Sequence, residues 1–208
     1  MKKINLKKTI PVVVLLGLFL YWVIPESQIP NPVDGCNSEN YDHQTFWYPW
    51  GDHFHRGIDV FADSGTVVRS VVDGIVVKLH RADGGNKGGG NYVEVLGKAT
   101  RAYYYAHMCE IAPDIKLWGF VRQGQPIGKV GKTGNANRDD CPPHCHFSIH
   151  TWIPELRNGR GEVKYRRWDR YEKLFYINPI IAMGDSTHWV LTTWNILAFL
   201  FHIQHQSF

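Results

Sequence analysis

The pattern of apolar and polar residues divides the 208-residue chain into distinct parts. Residues 9–24 form an almost uninterrupted apolar run, residues 51–182 alternate between short apolar segments and glycine-rich turns, and residues 189–201 are again strongly apolar. Short alternating segments separated by turns are typical of β-strands. The chain therefore predicts an N-terminal segment at 1–24, a linker and lead-in at 25–50, a β-rich domain at 51–182 and an apolar tail at 183–208.

Two strand pairs are predicted in the first half of the central domain. Residues 66–72 and 74–79 are rich in β-branched side chains, and the Asp73-Gly74 pair between them predicts a hairpin. Residues 91–96 and 101–107 have the same character and predict the next pair. No long amphipathic helix is evident in this region, so we expect an all-β fold, a compact antiparallel sheet or sandwich.

Strand alternation predicts which side chains share a face. In the strand at 101–107, Tyr103, Tyr105 and His107 are expected on one side, because alternate residues of a strand point the same way. A further strand is predicted at 144–150. The glycine-rich residues 81–90 are expected to form a flexible loop at the rim of a site rather than a phosphate-binding loop, because no Gly-Lys-Ser/Thr follows.

The two ends of the chain carry apolar segments of different kinds. Four lysines precede the run at 9–24, and a positive flank followed by an apolar run is typical of an export signal or signal anchor. No small-x-small cleavage site follows, so we expect an uncleaved hydrophobic anchor helix that binds the membrane. The run at 189–201 is too short for a membrane span, and we expect a helix docked on the domain.

The net charge of +4 carries little information about partners. Lys2, Lys3, Lys7 and Lys8 account for all of it, and the rest of the chain holds 19 basic and 19 acidic residues. A nucleic-acid-binding protein concentrates basic residues in a patch or stripe. The balanced remainder therefore argues against nucleic acid as a partner.

Two short segments carry the candidate chemistry, His55-Arg56-Gly57-Ile58-Asp59 and His144-Cys145-His146. Residues two or four positions apart point to the same side of a strand, so each segment can direct its side chains at one ion. Imidazole nitrogens and a carboxylate oxygen are ligands that zinc prefers. His107 lies at the end of another predicted strand. The spacing predicts a hydrolytic metal site and leaves open which of these residues bind the ion.

Other histidines are weaker candidates. His53 forms a second His-x-His with His55, and His150 lies on the same predicted face as His146. We expect these two, and the remaining histidines, to be surface residues or residues that support the site. The remaining ones are His43, His80, His188, His202 and His205.

An ordered series of motifs resembles the lysostaphin-type (LytM-like) zinc endopeptidases, which cleave peptide bonds of the bacterial cell wall. The resemblance covers about residues 51–181. Its main motifs begin with His55-Arg56-Gly57-Ile58-Asp59 and Val72-Asp73-Gly74, continue with Gly90-Asn91-Tyr92-Val93, Tyr105-Ala106-His107 and Gly124-Gln125-Pro126-Ile127-Gly128, and end with Pro143-His144-Cys145-His146-Phe147.

This resemblance implies one zinc ion per chain, held by His55, Asp59 and His146. It implies that His107 and His144 are catalytic rather than ligating, and it places His53 and His150 outside the site. It also implies the compact antiparallel β-sheet of these peptidases and peptidoglycan peptides as substrate. With the N-terminal segment, it places the catalytic domain in the bacterial cell envelope, outside the cytoplasm.

The cysteines raise a separate question. Family members commonly have Leu between the paired histidines, where this chain has Cys145, and we expect that residue to be a small core side chain. In an oxidising compartment cysteines pair, and Cys109 and Cys141 both flank the catalytic motifs. We hypothesise a Cys109–Cys141 disulfide, with unpaired or differently paired cysteines, including Cys36, as the alternative.

Two other functions stay open alongside the zinc endopeptidase. Some relatives have lost their ligands and activate other wall hydrolases without catalysis. The presence of His55, Asp59, His107, His144 and His146 argues against this alternative. A peptidase that acts on a protein substrate is the second alternative. A tyrosine ahead of the first motif often assists catalysis in the family, but Tyr48 does not match its register convincingly.

Overall fold

The computed structural model describes residues 11, 14–17, 26, 28–41, 45–51, 53–82, 88–151, 166–169 and 174–183. These residues form mainly β-structure, which confirms the all-β prediction. The strands are β1 (Pro49–Trp50), β2 (His53–Phe54), β3 (Ile58–Phe61), β4 (Val67–Arg69), β5 (Gly74–His80), β6 (Asn91–Leu96), β7 (Ala102–Met108), β8 (Glu110–Ile111), β9 (Phe120–Val121), β10 (Pro126–Lys129), β11 (His144–Thr151), β12 (Arg166–Asp169) and β13 (Leu174–Ile177). A short helix, α1 (Pro179–Ala182), follows β13.

The strands form antiparallel sheets of very different size. A small sheet has the order β4-β10-β8, and β1 pairs only with β2. The large sheet has the order β12-β13-β11-β7-β6-β5-β9. Its central strand β11 pairs with β7 along one edge, and with β3 and then β13 along the other. β11 therefore brings together segments that are far apart in the sequence.

The hydrophobic core joins one face of the large sheet to the small sheet. Tyr105 and Phe147 of the large sheet are fully buried, as are Val68 and Ile127 of the small sheet. The Tyr105 hydroxyl accepts a hydrogen bond from the backbone N–H of Val71 at 2.9 Å. A buried hydroxyl that is hydrogen-bonded avoids the cost of desolvation without a partner, so this tyrosine fits the core.

The segment at 25–50, expected as a linker and lead-in, contributes to this core. Ile29 and Val33 are each 2% exposed, and Val33 forms an isolated antiparallel bridge with Val68. Tyr41 forms another bridge, with Val60 of β3. Part of the lead-in is therefore packed against the sheets, while the domain boundaries themselves remain a prediction.

One predicted strand pair is confirmed and the other is wrong. β6 and β7 pair as expected from residues 91–96 and 101–107. The hairpin expected around Asp73-Gly74 does not form, because β4 pairs with β10 whereas β5 pairs with β6 and β9. The chain passes here from the small sheet to the large one. A strand's partner depends on packing across the core as much as on the local turn, which the local sequence does not contain.

The expected anchor and tail lie mostly outside the described residues. Residues 14–17 are helical, and the side chains at 14–16 are exposed. Among the residues that the structure describes, no helix has both the length and the apolar character needed to cross a membrane. Residues 184–208 fall outside the described part, so the docked-helix prediction for the tail stays a prediction.

Candidate metal centre and substrate cleft

Three predicted ligand side chains converge at the cleft-facing side of the large sheet. One nitrogen of His55, one carboxylate oxygen of Asp59 and one nitrogen of His146 all lie within 4.8 Å of one another. His146 Nδ1 lies 2.9 Å from Asp59 Oδ1 and 2.9 Å from His55 Nε2, and His55 Nε2 lies 3.1 Å from Asp59 Oδ1. The roles of these residues as ligands remain a prediction, but their geometry is that of a metal-binding triad.

Strand pairing accounts for this convergence. Asp59 of β3 is directly opposite His146 of β11 in the antiparallel register. His55 precedes β3 rather than lying in it, and its backbone N–H donates to the Tyr48 carbonyl at 2.8 Å. Gly57 lies between His55 and Asp59 in the sequence, and a Cβ atom there would come within 2.9 Å of His146 Nε2. Only glycine allows the segment to approach β11 this closely.

The hydrogen bond of His55 fixes which of its nitrogens can bind a cation. Nδ1 lies 3.1 Å from the carbonyl oxygen of Thr45. A carbonyl only accepts, so Nδ1 carries the proton, and neutral His55 presents a lone pair at Nε2. An outer hydrogen bond of this kind is the usual means of orienting a metal-ligating histidine.

The charge state of the cluster also suits a cation. Burial raises the pKa of Asp59, but its close contacts with the His146 and His55 imidazoles outweigh that effect, so its pKa lies well below the usual range. Burial is the main reason that the pKa of His146 is lowered. An anionic carboxylate beside neutral imidazoles is the protonation state that metal binding requires.

His107 and His144 stand next to this triad with a common orientation. Their rings are 5.0 Å apart, and each Nδ1 faces a backbone carbonyl, that of Thr133 at 2.8 Å and that of Pro142 at 2.9 Å. Both Nδ1 atoms therefore donate, which leaves each Nε2 as an acceptor in the neutral ring. Burial is the main cause that lowers the pKa of His107 to about 4, and electrostatic repulsion from His146 and His144 adds to it.

The prediction that His107 shares a strand face with Tyr105 is wrong, and an irregularity in β7 explains why. The β6–β7 register shifts between Asn91 and Val93, and His107 has a φ of +63°. This irregularity has the character of a β-bulge, which re-aims side chains and recurs next to active sites. His107 therefore lines the cleft, whereas Tyr105 of the same predicted face lies in the core.

These side chains lie in a cleft of about 600 Å³. The loop expected at the rim contributes Gly88 and Gly89, as predicted from its glycines. The cleft also contains polar residues that sequence reasoning missed, Glu94 and Lys78. These two residues are identified by their register with β11, through β7 and β6, and this register is known only once the strand order is known.

The other histidines divide as follows. His53 is exposed on β2. His150 is buried in the cleft, and its Nε2 lies 3.7 Å from Glu94 Oε2, so His150 contacts a cleft carboxylate. His80 faces the carbonyl oxygen of Gly90 at 2.9 Å. The predictions for the remaining four fall outside the described residues; they are His43, His188, His202 and His205.

All four cysteines lie within the described part of the chain, and each is unpaired, so the Cys109–Cys141 disulfide does not form here. Cys109 Sγ instead lies 3.1 Å from the Val130 carbonyl, and Cys141 Sγ lies 3.8 Å from His144 Nδ1. Cys145 is fully buried, which confirms it as a core residue.

Comparison with known proteins identifies the family of this fold. The model of peptidase family M23 matches residues 53–162, slightly more than half of the chain, and the chain belongs to that family. It is 32% identical over 103 residues to lysostaphin of Staphylococcus staphylolyticus, an alignment that covers 48% of this chain and 20% of the relative. It is 36% identical over 94 residues to the DD-carboxypeptidase/endopeptidase Mpg of Neisseria meningitidis serogroup B, covering 45% of this chain and 19% of the relative.

A solved structure gives the same architecture. A putative M23 peptidase from Pseudomonas aeruginosa superposes with a TM-score of 0.51 at 20% identity, covering 89% of this chain and 65% of the other. At this identity the likeness concerns the fold alone. The chain spans about a fifth of the length of the two curated relatives, so the similarity concerns one domain of each.

Proposed function

We propose that this chain is a zinc-dependent endopeptidase that hydrolyses peptide bonds of bacterial peptidoglycan. The observation that carries the proposal is the convergence of His55, Asp59 and His146 within 4.8 Å at the floor of an open cleft. His107 and His144 stand directly beside them with both Nε2 atoms available. Metal ligands next to paired proton acceptors suit hydrolysis better than they suit a purely structural metal site.

The donor set fits zinc. Two imidazole nitrogens and one carboxylate oxygen give three protein ligands and leave a position open, which is the arrangement of catalytic zinc sites. The His55 Nε2 lone pair lies 2.9 Å from His146 Nδ1 and 3.1 Å from Asp59 Oδ1. Three acceptor atoms crowded together in a buried place are stabilised by a bound cation. We therefore assign one zinc ion per chain to these residues.

The remaining histidines supply the proton transfers. The chemistry that bound zinc supplies is the acidification of water and the polarisation of a carbonyl group. Nε2 of one of the two histidines, His107 or His144, accepts a proton from the attacking water. Nε2 of the partner, once protonated, donates to the leaving amine nitrogen or to the developing oxyanion. The backbone carbonyls of Thr133 and Pro142 hold both rings in the tautomer that this requires.

The proposed substrate and location follow from membership of the M23 family. The M23 match at residues 53–162 contains the whole cluster, lysostaphin is similar to this chain over 103 residues, and a further relative, at 34% identity over 98 residues, is named glycyl-glycine endopeptidase ALE-1 of Staphylococcus capitis. Peptide bonds of the cell wall are therefore the proposed substrate, and the cell envelope is the proposed location. Membrane attachment through residues 1–24 is a further part of this proposal.

The proposal is tested by metal analysis together with digestion of purified sacculi. We expect the purified protein to contain about one equivalent of zinc, from the ligand triad found among the described residues. We expect released peptides to disappear with a chelator and to return when zinc is added. Activity that a chelator does not affect, or binding to sacculi without cleavage, contradicts the proposal. Cleavage of proteins but not of sacculi assigns the activity to a protein substrate.

A further inference from the structure

A second polar row crosses the cleft floor one step away from the metal triad. Ser148 of β11 is in register with Tyr104 of β7, Tyr104 with Glu94 of β6, and Glu94 with Lys78 of β5. All four residues line the cleft. Ser148 is two residues beyond His146 on the same strand face, so the row lies about 7 Å along the strand from that ligand. An extended peptide rises about 3.3 Å per residue, so this is the distance between residues two apart in an extended substrate.

Glu94 is the centre of this row. Glu94 is 5% exposed. Its carboxylate oxygen Oε2 lies 3.1 Å from Lys78 Nζ and 3.7 Å from His150 Nε2. Burial raises the pKa of Glu94, but the hydrogen bonds and charges of His150 and Lys78 outweigh it, so the group is a carboxylate at neutral pH. Nδ1 of His150, itself 6% exposed, has no hydrogen-bond partner. A buried ion with an incompletely satisfied neighbour is costly for stability alone.

Two tyrosines line the cleft together with Glu94. Tyr92 and Tyr104 line the same part of the cleft with ring centroids 5.2 Å apart, and Tyr92 flanks Glu94 by two positions on one strand face. A carboxylate beside aromatic faces is the combination that binds an ammonium group, through a charged hydrogen bond and cation–π attraction.

Lys78 already places an ammonium group at this position. The side chain of Lys78 is 58% exposed and only its Nζ contacts the buried carboxylate. The exposed Lys78 ammonium can return to water, whereas the Glu94 carboxylate, whose side chain is 6% exposed, stays buried and requires a cation. A substrate ammonium with aromatic contacts can therefore displace it.

We propose that Glu94, Tyr92 and Tyr104 form a subsite for a primary ammonium group of the substrate peptide, about two residues along the peptide from the scissile bond. This inference rests on the proposed endopeptidase function. It assigns the distal part of the cleft to substrate selection, with Lys78 occupying the site when substrate is absent. The ammonium can come from a side chain or from a free peptide N-terminus.

The test uses one cross-linked wall peptide, prepared in four forms. Both amines are free, only the N-terminal amine is acetylated, only the side-chain amine is acetylated, or both are acetylated. We expect kcat/KM to fall by about tenfold or more when the recognised amine is acetylated, and the two singly acetylated forms identify its source. Equal rates for all four forms overturn the subsite. Cleavage of none of them contradicts the endopeptidase function instead.

Variants separate recognition from a structural role. Glu94→Gln keeps the shape of the side chain and is expected to remove the preference for the free amine by lowering its kcat/KM about tenfold, with the doubly acetylated form changed less than about twofold. The matched control is Glu110→Gln, which removes an exposed carboxylate paired with Lys129 at 2.8 Å and should change neither substrate. An equal loss on both substrates, or loss of bound zinc, shows that Glu94 is only structural.

Two further variants act without changing the carboxylate. Tyr92→Leu removes an aromatic face and is expected to reduce the amine preference by about threefold to tenfold, whereas Tyr92→Phe retains it. Lys78→Met removes the resident ammonium and is expected to lower KM for the free-amine substrate only. An unchanged preference in Tyr92→Leu, or a higher KM in Lys78→Met, contradicts the proposed site.

Discussion

The two faces of the large sheet are built from the same strands and have opposite compositions. On β11, Phe147 and Ile149 are fully buried in the core, whereas His146, Ser148 and His150 line the cleft. The cleft side chains are also mostly buried, but all three are polar and the two histidines are titratable. Adjacent residues of one strand therefore serve different ends, stability on one face and chemistry on the other.

This comparison teaches where a substitution should act. A change on the cleft face removes a ligand or proton acceptor and leaves the apolar contacts of the core in place. A change on the core face removes packing and leaves the polar cluster intact as long as the domain is folded. Activity and stability should therefore respond separately to changes one residue apart, although the two faces share a backbone.

The largest effect is expected for Asp59→Ala, on the cleft face. The carboxylate is the anionic ligand of the proposed triad, and its contacts with both imidazoles hold its pKa low despite its burial. We expect bound zinc to fall to a small fraction of an equivalent and hydrolysis of sacculi to be lost, as measured by elemental analysis and peptide release. The control Asp63→Ala changes an exposed carboxylate four residues on and should retain both. Zinc retained near one equivalent in Asp59→Ala would remove this residue from the ligand set.

The next effect is expected for His144→Ala, which is on the same face but outside the triad. Its Nε2 lies 3.7 Å from Asp59 Oδ1, and its Nδ1 is oriented by the Pro142 carbonyl. Loss of a general acid or base lowers the rate by about 10²–10⁴-fold. We expect that decrease in peptide release with bound zinc near one equivalent. Loss of the metal in this variant would show that His144 is a ligand instead.

A substitution on the core face should lower stability and leave the polar cluster of the folded domain intact. Phe147 is fully buried between His146 and Ser148, and Phe147→Ala should lower the free energy of unfolding by about 3–5 kcal/mol. The matched control is Phe120→Ala on the edge strand β9, where the ring is 63% exposed, with an expected change of about 0.5 kcal/mol or less. Urea denaturation measures both. Similar losses in the two variants would mean that the core does not depend on this face.

The sequence predicts side-chain alternation in regular strands well, but it does not predict where a strand departs from that alternation. Alternation on β11 places His144 and His146 together, and the fixed period of two requires no knowledge of the rest of the fold. His107 breaks that rule because a register shift with β6 turns it towards the cleft, and such a shift depends on the partner strand. Glu94 was missed for a related reason, since it reaches the cleft floor only through the order of three paired strands.

The smallest effect is expected at Tyr105, where a polar atom belongs to the core face. The Tyr105 hydroxyl accepts a hydrogen bond from Val71 N–H at 2.9 Å, and this bond connects the large sheet to the segment that leads from the small one. Tyr105→Phe leaves that buried N–H without its partner, which costs about 1–3 kcal/mol. We expect urea denaturation to detect this loss while zinc content and kcat/KM stay at their wild-type values, with the exposed Tyr48→Phe as control. Since Tyr104, the preceding residue, lies in the cleft, a loss of activity in Tyr105→Phe that exceeds the loss of folded protein would show that the two faces are coupled through β7 rather than independent.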